Sequence, residues 1–128
     1  MNVFLFFGAL FGFLAVGSGA FGSHVLAGMA EPNILEIWGI AVQFLMFHAA
    51  ALLAIGILKI KFPHSSLLDW SGIFFILGIF LFSGTIFIRS LTDLDIGFLT
   101  PIGGFSLLSA WLLLVIASVA LFRERFFL

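Results

Sequence analysis

His48 and Gln43 are the residues whose types and spacing could do chemistry. Both lie in a run without Asp, Glu, Lys or Arg that extends from Ile37 to Leu58, with Gln43 five residues before His48. At membrane depth, an imidazole and an amide can form a proton relay or a ligand site. They can equally hold neighbouring helices together by hydrogen bonds, each worth about 1 kcal/mol. Because the run contains no carboxylate, the sequence favours helix contacts over a relay.

His24 and His48 are also a candidate pair of ligands for a metal ion or a haem. Two ligands of one group must lie at the same depth on facing helices. His24 falls near the end of one hydrophobic run and His48 near the middle of the next. The two are therefore about ten residues, or about 15 Å, apart in depth. We expect no metal and no cofactor, and we expect His24 to lie at an interface near Arg89.

Gln43 and His48 should each have a partner on a different helix. At about 100° per residue, side chains five residues apart point about 140° apart, so they cannot face the same neighbour. Ser83 lies at a depth similar to that of Gln43. Trp111 lies level with His48, and its indole N–H needs an acceptor. The sequence predicts a Gln43–Ser83 contact and a His48–Trp111 contact.

The composition defines the kind of molecule that positions these side chains. The chain has 128 residues, of which 63% are hydrophobic and 9% charged, against about 45–50% apolar and about 25% charged in an ordinary soluble domain. This excludes a soluble globular enzyme. The net charge of −1 gives no basic field for nucleic acid, and the absence of cysteine excludes thiolate chemistry.

Four long runs of the chain contain no Asp, Glu, Lys or Arg. Crossing a hydrocarbon core of about 30 Å takes about 20 helical residues, and a backbone in lipid must satisfy its own hydrogen bonds. The sequence therefore predicts an all-α membrane protein, a single domain over residues 1–128. Short loops make neighbouring helices antiparallel, which gives a four-helix bundle. The predicted helices cover about residues 2–24, 32–58, 67–89 and 101–122.

Local signals mark the helix ends. Pro32 suits the first turn of the second helix, since a proline there costs no hydrogen bond. Ser66, followed by Asp69 three residues later, resembles a capping box for the third helix. Thr100 and Pro101 supply a cap and a first-turn proline for the fourth helix.

Basic residues are distributed unevenly between the two sides of the predicted bundle. With four spans, both termini and the middle loop share one side. That side carries Lys59, Lys61, Arg123 and Arg125, whereas the other side has only Arg89. Because cytoplasmic loops are enriched in Lys and Arg, we expect both termini in the cytoplasm and the chain in the inner (plasma) membrane.

A cleaved signal peptide is the alternative for the first helix. Ser18-Gly19-Ala20 after an apolar run is typical of a cleavage site. However, no Lys or Arg precedes the run, and cleavage would leave three spans and break the charge bias. The sequence favours an uncleaved helix.

Small residues indicate where helices pack closely. Gly8 and Gly12 form a GxxxG pair that Gly19 continues, and Gly84 lies in the third helix beside Ser83. Such faces let backbones approach closely in lipid. One four-helix bundle cannot use every such face internally, so we expect a homo-oligomer, with the Gly8–Gly12 face as the contact between chains.

With these residues located, the chain resembles a known family in all four helices. Its segments Gly19-Ala-Phe-Gly-Ser-His24, Gln43-Phe-Leu-Met-Phe-His48, Phe82-Ser-Gly-Thr85 and Leu99-Thr-Pro-Ile-Gly-Gly104 are similar to that family's motifs, and Trp111 falls where the family has a tryptophan. The family is the small bacterial membrane family of unknown function numbered 423, with YgdD- and YwdK-like members and a eukaryotic transmembrane relative. Its usual alanine before the first histidine is Ser23 here.

The resemblance implies a multi-pass plasma-membrane protein with no established activity. It identifies Gly22, Gly103 and Gly104 as motif positions and assigns no role to any motif position. We expect these three glycines to join the other glycines in helix packing. From the topology, we expect the polar motif residues to gather in one cluster in the outer half of the bundle. That cluster consists of His24, Gln43, His48, Ser83, Arg89, Thr100 and Trp111.

Three functions remain open at this point. The first is a non-enzymatic structural or accessory membrane component, either a homo-oligomer or part of a larger membrane complex. The second is an oligomeric transporter or channel in which His24, Gln43, His48 and Arg89 line a polar cavity. The third is a quinone- or haem-binding membrane subunit. Because ionisable groups inside the membrane are scarce, the sequence favours the first function.

Overall fold

The computed structural model describes residues 1–127, with the side chains of 122 and 124–127 left undescribed. Within residues 1–127, every regular element is helical. The third membrane-length helix, here called the third span, consists of three consecutive elements, because a five-residue π-helical segment separates α3 from α4. The elements are α1 (Val3–His24), a 3₁₀ turn (Leu26–Gly28), α2 (Pro32–Lys61), α3 (Ser66–Ile79), the π segment (Phe80–Gly84), α4 (Thr85–Leu91) and α5 (Leu99–Phe127).

Within the described residues, four helices are long and apolar enough to cross a membrane: Val3–Gly28, Pro32–Lys61, Ser66–Leu91 and Leu99–Leu121. This confirms the predicted all-α fold with four membrane-length helices. α2 continues three residues beyond its predicted end, and α5 begins two residues before its predicted start. The predicted inner charge Arg125 lies outside the described side chains.

The helix starts are fixed by local chemistry. The Asn2 side chain caps α1 by accepting from the backbone N–H of Leu5 at 3.1 Å, and Pro32 opens α2. Ser65 caps α3 by accepting from the N–H of Leu68 at 3.4 Å. The predicted cap at Ser66 is therefore wrong by one residue, because Ser65 has the extended backbone of a cap while Ser66 is already helical.

α2 and the third span form the centre of the molecule. α1 packs mainly against α2, and α5 packs mainly against the third span. In an 18-residue apolar stretch of each central helix, 44% of the residues are buried. In the corresponding stretches of α1 and α5, 22% of the residues are buried. The outer helices therefore leave most of their surface outside the bundle.

Glycines bring α1 and α2 together. A Cβ at Gly8 would lie 2.9 Å from the backbone nitrogen of Leu53, and one at Gly56 would lie 2.8 Å from the nitrogen of Leu5. A Cβ at Gly12 would meet nothing within 4 Å. The predicted use of Gly8 with Gly12 as a contact between chains is wrong, because Gly8 is already covered by α2 of the same chain.

The other packing glycines differ in how tightly they are used. A Cβ at Gly22 would lie 2.8 Å from the Trp38 ring, and one at Gly103 would lie 2.5 Å from the backbone nitrogen of Phe82. Gly19 has an ordinary contact with Val42. Gly84 and Gly104 have room for a Cβ, whose nearest neighbours would lie 4.0 Å away.

Serines join the third span to α5. Ser71 donates to the carbonyl of Ala110 at 2.8 Å, and Ser106 on α5 donates back to the carbonyl of Phe74 at 2.8 Å. Each hydroxyl meets a backbone carbonyl of the other helix. These two bonds fix the register of α5 along the third span.

Candidate functional site

His48 lies on the buried face of α2 and uses both ring nitrogens. The Trp111 indole Nε1–H donates to Nε2 of His48 at 3.1 Å. Nδ1 of His48 lies 2.7 Å from the Phe44 carbonyl one helical turn earlier. Since a carbonyl only accepts and an indole N–H only donates, the imidazole has its proton on Nδ1 and a bare Nε2. The predicted His48–Trp111 contact is confirmed.

This hydrogen-bond pattern determines what His48 can do. A second proton on the ring would place an N–H on Nε2 directly against the indole N–H of Trp111, and both groups would then be donors. Phe75 lies against the same pair, with its ring centroid 5.7 Å from that of His48 and 5.0 Å from that of Trp111. We call a side-chain hydrogen bond between two helices a tie. The His48–Trp111 pair is an uncharged tie between α2 and α5, packed among aromatic rings.

Ser83 makes a second tie, from the π segment to α2. Its hydroxyl donates to the Ala41 carbonyl at 2.8 Å in a fully buried position. The predicted Gln43–Ser83 contact is therefore wrong. Gln43 lies two residues beyond Ala41, which is about 200° around the helix, so its side chain leaves the face that Ser83 meets.

Ser83 lies within the π segment, which the sequence analysis missed. Thr85 follows it and donates to or accepts from Thr100 at 2.6 Å, while it lies 2.6 Å from the Leu81 carbonyl. The Phe82 ring stacks on Phe44 with centroids 4.3 Å apart. π-bulges inside helices occur frequently at functional sites. The available signal was the small, polar sequence Ser83-Gly-Thr85 within an otherwise apolar run.

Gln43 lies apart from these ties. Its side chain is exposed on α2, at the edge of a groove of about 400 Å³ between α2 and α5 that Phe47, His48 and Trp111 also line. It also borders a groove on the α1 side of the same helix. Among the side-chain hydrogen bonds of residues 1–127, none involves Gln43.

The remaining predicted site residues lie at the ends of the spans. His24 is exposed at the end of α1. Arg89 is exposed at the end of α4, where its guanidinium lies beside Gly97 and lines a surface pocket of about 380 Å³ with Asp93 and Asp95. In the described part of the chain, no salt bridge joins Arg89 to Asp93. The structure thus joins His48 with Trp111 and Thr100 with Thr85, and leaves His24 and Arg89 outside both pairs.

Trp38 makes a further polar tie, which the sequence analysis did not predict. It is buried, and its Nε1–H donates to the Ser18 carbonyl of α1 at 2.8 Å. Its ring covers Gly22 and packs against Phe87 with centroids 4.5 Å apart. Trp38 lies only two residues beyond Glu36, so its burial reflects a side chain directed toward α1 and the third span, which depth along the sequence does not reveal.

The fold and the polar ties define a small multi-pass membrane protein whose four spans are joined by side chain to backbone and side chain to side chain hydrogen bonds. The chain belongs to the DUF423 family of proteins of unknown function, whose family profile matches residues 18–104. This confirms the resemblance found in the sequence.

Bacterial relatives match nearly the whole chain. The membrane protein YwdK of Bacillus subtilis is 38% identical over 120 residues, which cover 93% of this chain and 98% of the relative. The membrane protein SSP2132 of Staphylococcus saprophyticus is 42% identical over 119 residues, which cover 92% of this chain and 98% of the relative. No solved structure matches the chain.

Proposed function

We propose that the chain is a non-enzymatic accessory component of the membrane, a self-associating helical unit without a reaction centre. This proposal rests on one observation, the hydrogen bonding of the buried polar side chains within the chain. Among the described side chains, the buried polar residues are His48, Ser71, Ser83 and Thr85, and each is hydrogen-bonded inside the chain. In the described part of the chain, no buried side-chain nitrogen or oxygen lacks a partner.

Enzymes and transporters in membranes place polar groups where a substrate or an ion can reach them. Polar and ionisable side chains that mark such pathways face a cavity inside the bundle. Here the buried polar groups of the described chain bond to one another and to the backbone, so that they stabilise helix contacts. This favours a protein that acts through its surfaces.

The transporter hypothesis needs His24, Gln43, His48 and Arg89 around one cavity. Gln43 and His48 border the groove between α2 and α5, whereas Arg89 lines a separate pocket beside the loop before α5. Haem binding through His48 needs a histidine nitrogen that is free to ligate iron. Both nitrogens of His48 have partners, which argues against that role.

The experiment that tests the proposal is reconstitution of the purified chain into vesicles and into lipid nanodiscs. We expect vesicles with a trapped pH-sensitive dye to be no more permeable to protons than empty vesicles. In nanodiscs, we expect a native protein mass of two or more chains of 14.0 kDa each. Proton or ion flux that disappears in His48→Leu would contradict the proposal and support the transporter.

We also propose that the protein lies in the plasma membrane with both termini in the cytoplasm. Lys59 and Lys61 end α2 and Arg123 lies in the last turns of α5, so these basic residues share one side of the spans. Such a bias is typical of the cytoplasmic side. A green fluorescent protein fused after Leu128 should fluoresce, and alkaline phosphatase fused there should be inactive. The reverse result would overturn this orientation.

A further inference from the structure

Gln43 presents a free amide on the exposed side of α2. Ile40, Phe47, Ala50 and Ala54 are exposed on the same side of the helix, at the three- and four-residue spacing of one face. Gln43 lies seven residues beyond Glu36, which is about 10 Å along the helix axis. A glutamine side chain is much shorter than that distance, so the amide cannot reach the headgroups beside Glu36.

An amide in hydrocarbon needs a hydrogen-bond partner. No water is available at that depth, and leaving the group unpaired is costly. Serines of α1 and α5 satisfy their hydroxyl groups within their own helices. Ser23, Ser109 and Ser118 each donate to a carbonyl three or four residues earlier. The Gln43 side chain makes no such bond, so this face of α2 lacks the partner that its polar group requires.

We propose that a second copy of this chain covers this face of α2, with Gln43 hydrogen-bonded to Gln43 of the partner subunit. The proposal rests on the self-association proposed above and names its interface. In a two-fold dimer whose axis runs along the membrane normal, identical residues face each other at equal depth. An amide both donates and accepts, so two glutamines satisfy each other.

The residues below Gln43 fit the same interface. Ala50 and Ala54 lie one turn apart on the exposed face, and small side chains let two helices approach closely in lipid. The charged residues Glu36 and Lys61 are exposed at the two ends of this face. There they stay in the headgroup layers, where two like charges are not forced into hydrocarbon.

Cysteine cross-linking in native membranes tests the interface, because the chain contains no cysteine of its own. Ala50→Cys places a thiol on the proposed interface. Two controls at the same depth are Ala9→Cys on α1, next to the Gly8–Leu53 contact, and Leu112→Cys on α5, next to the Trp111–His48 bond. With copper-phenanthroline as oxidant, we expect a disulfide-linked dimer from Ala50→Cys and monomers from both controls.

The role of the amide is tested in the Ala50→Cys background. Gln43→Leu should lower the cross-linked fraction about threefold to tenfold, as expected for loss of an interhelical hydrogen bond. Gln43→Asn, which keeps an amide, should retain most of it. Val16→Leu on the exposed side of α1 is the matched control and should change nothing. An unchanged cross-linked fraction in Gln43→Leu would overturn the role of Gln43.

The native mass in nanodiscs separates failure of this interface from failure of self-association. A monomeric mass with no cross-link from any cysteine would show that the chain does not self-associate, and the proposed function would fail with the interface. An oligomeric mass with cross-links only from Ala9→Cys or Leu112→Cys would keep self-association and overturn the α2 interface.

Discussion

His48 and Gln43 are five residues apart on one helix and have opposite surroundings. His48 faces α5 and the third span, where Trp111 and the Phe44 carbonyl occupy both of its ring nitrogens. Gln43 faces out of the bundle, and within residues 1–127 its amide has no hydrogen bond. Residue type and depth show that a polar group needs a partner. Its direction around the helix shows whether that partner belongs to the same chain.

The glycines of α1 show the same contrast between inside and outside, with the largest expected effect. Gly8→Leu should lower the free energy of unfolding of the monomer by about 3 kcal/mol, because the new side chain would meet the backbone of Leu53. Gly12→Leu should change it by less than about 0.5 kcal/mol, because nothing lies near that position. Chemical unfolding in bicelles measures both. Equal losses would contradict the placement of α1 on α2.

The two polar residues themselves should differ next. His48→Leu should lower the free energy of unfolding by about 1–3 kcal/mol, since the indole N–H of Trp111 loses its acceptor. Gln43→Leu should leave the unfolding of the monomer within about 0.5 kcal/mol of the original chain. The comparison is made in detergent at concentrations where the chain is monomeric. A loss in Gln43→Leu as large as that in His48→Leu would show that Gln43 has a partner inside the chain.

Ser83 should have the smallest effect of the inward-facing groups. Ser83→Ala removes the bond to the Ala41 carbonyl and should cost about 0.6 kcal/mol, a typical value between membrane helices. Ser109→Ala is the matched control, because the Ser109 hydroxyl bonds only within its own helix. It should cost less than Ser83→Ala in the same bicelle unfolding experiment. The opposite order would argue against the tie between the π segment and α2.

Counting residues along the sequence was enough to predict the four spans and the His48–Trp111 contact. Runs without charge define four helices, and matching depths placed His48 level with Trp111. The same counting predicted the wrong partner for Ser83, because it compares the depths of side chains, whereas Ser83 donates to a backbone carbonyl. A π segment shifts the direction of every later side chain in its span, and no single residue type predicts such a segment. The GxxxG pattern shows that a helix can be approached closely, but not that α2 covers Gly8 and leaves Gly12 open.

The protonation of the two His48 ring nitrogens decides whether this residue is a tie between helices or a reactive group. Nitrogen NMR of ¹⁵N-labelled protein in bicelles at neutral pH reports which ring nitrogens carry protons. We expect a proton on Nδ1, a bare Nε2, and a scalar coupling across the hydrogen bond from Trp111 Nε1–H to that bare nitrogen. Protons on both nitrogens, or a bare Nδ1 with no coupling to Trp111, would contradict the assignment of His48 as a neutral tie.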